Sequence, residues 1–396
     1  MKTLVQFGAG NIGRSFIGQL FARSGYEVVF VDIDERILNA MNERHAYDVV
    51  IKHPDGHDET LKIENVRAID GRNTEAVAKV LADADLAATS VGQRALGSVL
   101  PVVAKGLQLR HERHGLRPLD IIIAENLHSA AQFFREELSS MLPPDFPLDD
   151  MAGLIETSIG KMVPIMRQED LEKDPLWVFA EPYNRLILDK RGFKNLVPDV
   201  DGLAPMENIK AYVDRKLWIH NLGHSATAYW GYQDDPGQEY IWEVLEKELT
   251  AKKVKECMMQ SAAALLREYP EEFTPETLEN HVDDLISRFR NRALGDTIHR
   301  VGRDIQRKLA RNDRLVGAAL LCAKHGLLFD KIADAICAGM EFRKGDENGK
   351  LHPADQDFVD DIYPKGKDFI LKSICGLDDK NTEDREVINC VMDQKN

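Results

Sequence analysis

The chain reads as an α/β protein: an N-terminal parallel-sheet domain with an inserted β-hairpin, followed by a mainly α-helical C-terminal domain. Three observations predict this. Short β-branched runs alternate with helical patterns through the first third, a glycine-rich turn joins the first strand to the first helix, and beyond about Met206 strand signals give way to helical periodicity.

Residues 4–7 form the first strand, 12–24 the first helix, 27–31 the second strand and 35–44 the second helix, which is the βαβ pattern of a parallel sheet. Runs 47–51 and 60–63 flank His53-Pro54-Asp55-Gly56, a turn composition, and predict a hairpin set into the α/β unit. Residues 86–90 and 120–124 are further strands, each followed by a helical pattern, and the proline-bearing 141–147 stretch is a surface loop. At 396 residues the chain exceeds the roughly 250–300 at which one core stops growing, so two domains are expected, 1–195 and 196–396, parted within the loop-like 195–205 segment.

Hydrophobic residues make up 43% and charged residues 30% of the chain, the balance of a folded globular protein. Its net charge of −15 argues against a nucleic-acid partner, which needs a concentrated basic surface. An anionic substrate would have to be met by a local cluster of cations working against the global field. The five cysteines include no CxxC pair and are odd in number, which fits neither a zinc site nor a disulfide framework, and no metal is expected. Met1-Lys2-Thr3 leads straight into the first strand without a signal-peptide pattern, and no apolar run reaches membrane length. The expectation is a cytoplasmic protein, monomeric or homodimeric, acting on a small molecule.

Gly8-Ala9-Gly10-Asn11-Ile12-Gly13 is a GxGxxG string, and its context makes it informative: it follows a strand, opens a helix, and precedes Asp32 at the end of the second strand. Gly8 permits the tight turn, Gly10 lets the backbone approach a pyrophosphate, and Gly13 lets helix and strand pack closely. The helix N-terminus offers N–H donors to phosphate. Asp32 would accept from the adenosine ribose hydroxyls and repel a 2′-phosphate, with Asp34 adding to the repulsion, so NAD is expected rather than NADP. The alternative is a Rossmann-type turn that holds no cofactor.

From Leu217 to Gln233 the chain has no Asp, Glu, Lys or Arg, which predicts a buried helix. At about 100° per residue from Lys216, His224 falls near 80° and Asn221 near 140°, while Trp218, Ile219 and Leu222 fall on the opposite face. One face would pack and the other line a polar cavity. A lysine at the mouth of a buried helix loses basicity through desolvation and becomes competent as a general base near neutral pH, with Asn221 and His224 placed to orient a substrate oxygen. His220, near 40° by the same arithmetic, shares the arc. The alternative is a surface lysine capping a structural helix, with Asn221 and His224 as satisfied core polars.

Lys216, Asn221 and His224 reproduce the K-x4-N-x2-H pattern of the polyol-specific long-chain dehydrogenases, and residues 8–14 (GAGNIGR) resemble the opening of bacterial mannitol-1-phosphate 5-dehydrogenases. Glu125-Asn126, Val163-Pro164, Arg288-Phe289 with Asn291, and the 300–315 stretch extend the resemblance over nearly the full chain. It implies Lys216 as catalytic base, Asn126 and Asn221 as donors to the alkoxide or carbonyl oxygen, and His224 as a substrate-orienting group. It also implies an N-terminal Rossmann domain, a helical C-terminal domain, and no metal. The reaction implied is reversible hydride transfer between NAD(H) and a phosphorylated polyol, mannitol 1-phosphate with fructose 6-phosphate. One departure stands out: Gly160-Lys161-Met162 replaces an Asp-Arg pair that the family often carries before Val-Pro. That keeps an unphosphorylated polyol or a sugar acid, such as fructuronate or tagaturonate, in view. Arg300 and Arg303 are the candidates for phosphate, since guanidinium forks bind it bidentately, whereas Arg307 and Lys308 are expected to pair with acids on a solvated face.

Overall fold

The computed structural model describes residues 1–394 except His128. The chain divides into two compact units, Met1–Ile209 and Lys210–Asn396. Strands in chain order are β1 (Lys2–Phe7), β2 (Tyr26–Asp32), β3 (Ala46–Lys52), β4 (Asp58–Glu64), β5 (Val66–Asp70), β6 (Leu86–Thr89), β7 (Leu119–Ile123), β8 (Ala152–Ser158), β9 (Val178–Ala180), β10 (Leu186–Asp189) and β11 (Leu203–Met206).

An eight-stranded sheet runs β11-β10-β8-β7-β6-β1-β2-β5, parallel throughout except where β10 meets β8. Taken from β5 to β8 the order is that of a doubly wound dinucleotide fold, with the strand order reversing at β1 and β6, where such sheets bind ligands beyond the strand ends. Alternation along the strands explains the two cores. Leu4, Val28, Phe30 and Ile122 face one side, while Val5, Phe7, Val31, Ile121 and Ile123 face the other.

The expected hairpin is β3–β4, pairing antiparallel from Ala46 opposite Glu64 to Lys52 opposite Asp58. The structure adds β9, which pairs parallel with β3 and makes a three-stranded sheet. The 195–205 stretch, expected to part the domains, instead leads into β11, whose Leu203 and Ala204 pair with Leu186 and Ile187. Backbone pairing thus holds this segment in the first unit, and the division falls after Ile209.

The second unit is built on helices, among them Leu222–Asp234, Glu248–Glu268, Pro275–Phe289, Val316–Lys324, Asp330–Met340 and Thr382–Asp393. Helix Pro275–Phe289 shows why they form. Thr274 caps its first turn, Pro275 presets the backbone, and Leu278, Val282, Leu285, Ile286 and Phe289 fall on one buried stripe. Helix Leu222–Asp234 is buried around nearly its whole circumference, from Ser225 to Gly231 without a break, which accounts for its lack of charge.

The glycine turn is sterically tight in a testable way. A Cβ on Gly13 would lie 2.0 Å from the Gly8 carbonyl oxygen, whereas one on Gly10 would meet nothing within 4 Å. Gly13→Ala is therefore expected to cost about 1–3 kcal/mol of stability, and Gly10→Ala nearly nothing. Thermal unfolding of the two variants checks this; equal melting temperatures would contradict the packing described.

Candidate active site

In the first unit the glycine turn sits at the end of β1. Gly8 takes a positive φ of 91° and donates its N–H to the Val31 carbonyl at 2.8 Å, which lays the turn against β2. Gly8, Gly10 and Asp32 line a cleft of about 620 Å³ together with Ser90, Val91 and Arg72. Ala9 and Gly13 are buried behind it, Ile12 is half-buried and Asn11 is exposed. The open space above Gly10 is the feature a pyrophosphate needs.

Asp32 does more than face the cleft. Its carboxylate accepts the Ala9 N–H at 2.6 Å, the Ile33 N–H at 2.7 Å and the Asp34 N–H at 3.0 Å. It thereby fixes the turn. Asp34 caps the helix Glu35–Arg44 and pairs with Arg36 at 2.9 Å.

The opposite wall rests on Glu125, which the sequence marks only through the Glu125-Asn126 pair. Glu125, buried after β7, accepts the N–H groups of Val91 and Gly92, each at 2.8 Å, and so shapes the loop bearing Ser90 and Val91. Burial pushes its carboxyl up even though both backbone donors favour the charge. Asn126, the next residue, is exposed in the first unit. Lys161, at the departure from the family pattern, is an anchor of this same unit: its buried ammonium donates to the carbonyls of Glu181 at 3.2 Å and Tyr183 at 2.6 Å and to Asn184 Oδ1 at 3.1 Å.

In the second unit the expected helix start at Lys216 is corrected. Helical turns begin at Ile209, and Lys216–Asn221 is a π-helical turn leading into Leu222–Asp234. An extra residue is accommodated in that turn, so the regular 100° spacing of about one α-helix does not hold across it; such bulges recur at functional sites. Lys216 is only partly accessible and deeply set. Burial, reinforced by the Arg314 and Arg307 guanidinium groups against the opposing Asp313, lowers its pKa to about 8. The Asn221 amide makes no hydrogen bond among the described residues, and His220 is buried with its ring 5.4 Å from Phe289. Burial, with Arg288 and His224 nearby, holds the His220 imidazole well below its ordinary value, so it is neutral.

His224 stacks on Phe289, with ring centroids 4.7 Å apart and planes 13° apart. Its Nε2 lies 3.2 Å from Asp296 Oδ2. Asp296 carries no pattern in the sequence that points to it, and it also meets Arg300 Nη1 at 3.0 Å.

His224 opens onto a basic cavity of about 440 Å³ lined by Arg300, Arg303, Arg307, Lys308 and Arg314, with His352 on its wall. Arg307 pairs with Asp304 and, at 3.3 Å, with Asp313, as expected; Arg314 shares Asp313 at 2.8 Å. Lys308 corrects the expectation of a solvated face, because it is buried and donates its ammonium to the Val301 carbonyl. Arg303 is exposed and makes no ion pair among the described residues. Cations thus exceed carboxylates at the cavity, in a chain of charge −15. Among the described residues no group of three His, Cys, Asp or Glu side chains could hold a metal ion, and no helix is long and apolar enough to cross a membrane.

Residues 2–202 match the family description mannitol dehydrogenase Rossmann domain, and residues 208–390 match mannitol dehydrogenase C-terminal domain. Among solved structures the chain is similar to the Pseudomonas fluorescens mannitol 2-dehydrogenase ternary complex with NAD and D-mannitol, at 15% identity and a TM-score of 0.72, over 99% of this chain and 91% of that one. It is also similar to an octopine dehydrogenase with NADH and pyruvate, at 14% identity and a TM-score of 0.51, over 90% of this chain and 94% of that one. At these identities the likeness is one of fold.

The basic cavity predicts anion binding independent of any reaction. Inorganic phosphate should bind with an affinity that drops about tenfold in Arg303→Ala, the loss of one charge-assisted contact of ~1.4 kcal/mol. Titration calorimetry reads this, and unchanged affinity would remove Arg303 from the anion site.

Proposed function

The chain belongs to the mannitol dehydrogenase family, and from that premise we propose that it transfers hydride reversibly between NAD(H) and a phosphorylated polyol, converting mannitol 1-phosphate and NAD⁺ to fructose 6-phosphate and NADH. The observation that carries the phosphate assignment is the basic cavity beside His224, with Arg303 outside any ion pair among the described residues and Arg300 at its wall. A dianion entering it would gain from several guanidinium groups at once.

The glycine turn, Gly8 to Gly13 with Ala9, Asn11 and Ile12 between, would hold the cofactor pyrophosphate, and Asp32 the adenosine ribose. When bound, NAD supplies the hydride acceptor. Lys216 takes the carbinol hydroxyl proton at Nζ, a role suited to an amine whose pKa is lowered to about 8. Asn126 and Asn221 donate to the oxygen as charge develops on it, and neutral amides do this without adding a proton to be tracked. His224 orients the substrate hydroxyls, while Arg300 and Arg303 hold the phosphate. The enzyme works in the cytoplasm as a monomer or homodimer on a small-molecule substrate, with neither membrane nor nucleic acid as partner.

A sugar acid is the alternative substrate, because the carboxylate of fructuronate or tagaturonate would also be drawn to the cavity. An unphosphorylated polyol, as in the ternary complex of the structural relative, would make no use of the cavity's surplus of cations over carboxylates.

Oxidation of NADH measured against fructose 6-phosphate, fructose, fructuronate and tagaturonate is expected to give the highest kcat/KM with fructose 6-phosphate. A preference for free fructose would overturn the phosphate assignment. Lys216→Ala should lower turnover by about 10²–10⁴-fold while NADH still quenches tryptophan fluorescence with nearly native affinity. Because the base must be unprotonated for alcohol oxidation, that rate should rise through a pKa of about 8 and level off above it, and ketone reduction, which needs the ammonium, should fall over the same range. Retained turnover in the variant would take the lysine out of the chemistry.

A further inference from the structure

We propose that Asp296 is a positioning residue that couples the basic cavity to the substrate-orienting imidazole, one buried carboxylate holding His224 through one oxygen and Arg300 through the other. The proposal rests on the assignment of Arg300 to an anionic substrate group, and it adds a link that neither residue suggests alone.

Asp296 is 6% exposed, too buried for its charge to be left to water. Its Oδ2 lies 3.2 Å from His224 Nε2 and its Oδ1 3.0 Å from Arg300 Nη1. The backbone that carries it is pinned: the Asp296 carbonyl accepts the Ile241 N–H at 2.9 Å, Ile298 donates to the Glu239 carbonyl at 2.7 Å, and Tyr240 bridges Thr297. The mount is therefore rigid, as a group that must place two others requires. Burial pushes the Asp296 carboxyl up, yet His224 and Arg300 together more than offset this and hold it below its ordinary value, so the carboxylate is charged.

Two consequences follow for the imidazole. Phe289 fixes the ring from its face, and the Asp296 carboxylate lies against its Nε2 edge as a close charge rather than a hydrogen-bond partner. Arg300 stands four residues along from Asp296 and lines the cavity. An anion that engages the guanidinium draws on the same charge, and Asp296 is then left more fully to His224. Occupancy of the cavity is thereby felt at the imidazole through one carboxylate.

The test is a double-substitution cycle of Arg300→Ala and His224→Gln, read as kcat/KM for fructose 6-phosphate with NADH. With Asp296 in place the two losses should fail to multiply by about threefold or more, as expected for groups sharing one partner. In an Asp296→Asn background the same two losses should multiply, whereas a merely structural Asp296 would lower stability and leave the coupling unchanged. Losses that multiply in the native background overturn the proposal, whether or not Asp296→Asn folds. Failure of the phosphate assignment looks different: Arg300→Ala would then act equally on fructose 6-phosphate and fructose, and the cycle repeated with fructose would still show the coupling.

Discussion

Desolvation of a single ammonium is the constraint on which the proposed chemistry depends. Lys216 occupies a π-helical turn continuous with a helix that carries no charge from Leu222 to Gln233, so its amine is set among protein atoms rather than in water. Asp313 alone among its strong neighbours favours the charged form, and Arg314 and Arg307 oppose it after burial itself. A lysine so placed is partly neutral near physiological pH, which is what proton abstraction from an alcohol requires. Relocating the same residue to the rim of the unit would restore an ordinary, fully protonated amine.

The cations that depress this lysine also line the basic cavity, so one cluster serves two ends. Concentrating guanidinium groups in a chain of net charge −15 is stable because most of them are shared with carboxylates: Asp296 with Arg300, Asp304 with Arg307, Asp313 with Arg307 and Arg314. What remains is a local surplus centred on Arg303, attractive to an anion and shielded from the global field by its own acids. The first unit meets the complementary problem differently, in that the proposed phosphate contact there relies on backbone geometry at Gly8 and Gly10 rather than on side-chain charge.

Much of the fold was legible because its signals are local. A glycine is the residue for the positive φ at position 8, and Gly13 must lack a Cβ to clear the Gly8 carbonyl, so the motif reports its own geometry. The β3–β4 hairpin announces itself by a turn composition between β-branched runs. Strands β5, β8, β9, β10 and β11 are not legible in the sequence, because each is defined by the strand it pairs with rather than by a pattern of its own. The same distinction holds at the site. Lys216, Asn221 and His224 share one segment and could be grouped by spacing, but the π turn is set by packing and is silent in residue identity. Asp296 and Glu125 act through partners distant in the chain, His224 for one and the Val91–Gly92 backbone for the other, and such pairings leave no trace in a single sequence.

The lowered basicity of Lys216 can be measured on the amine itself. Reductive ¹³C-methylation of the lysines, with Lys216→Arg used to assign the resonance, followed by NMR titration, should show one dimethylamine titrating near 8, apart from the surface lysines. A Lys216 signal that titrates with the others, at the ordinary value of 10.5, would contradict the account at its root.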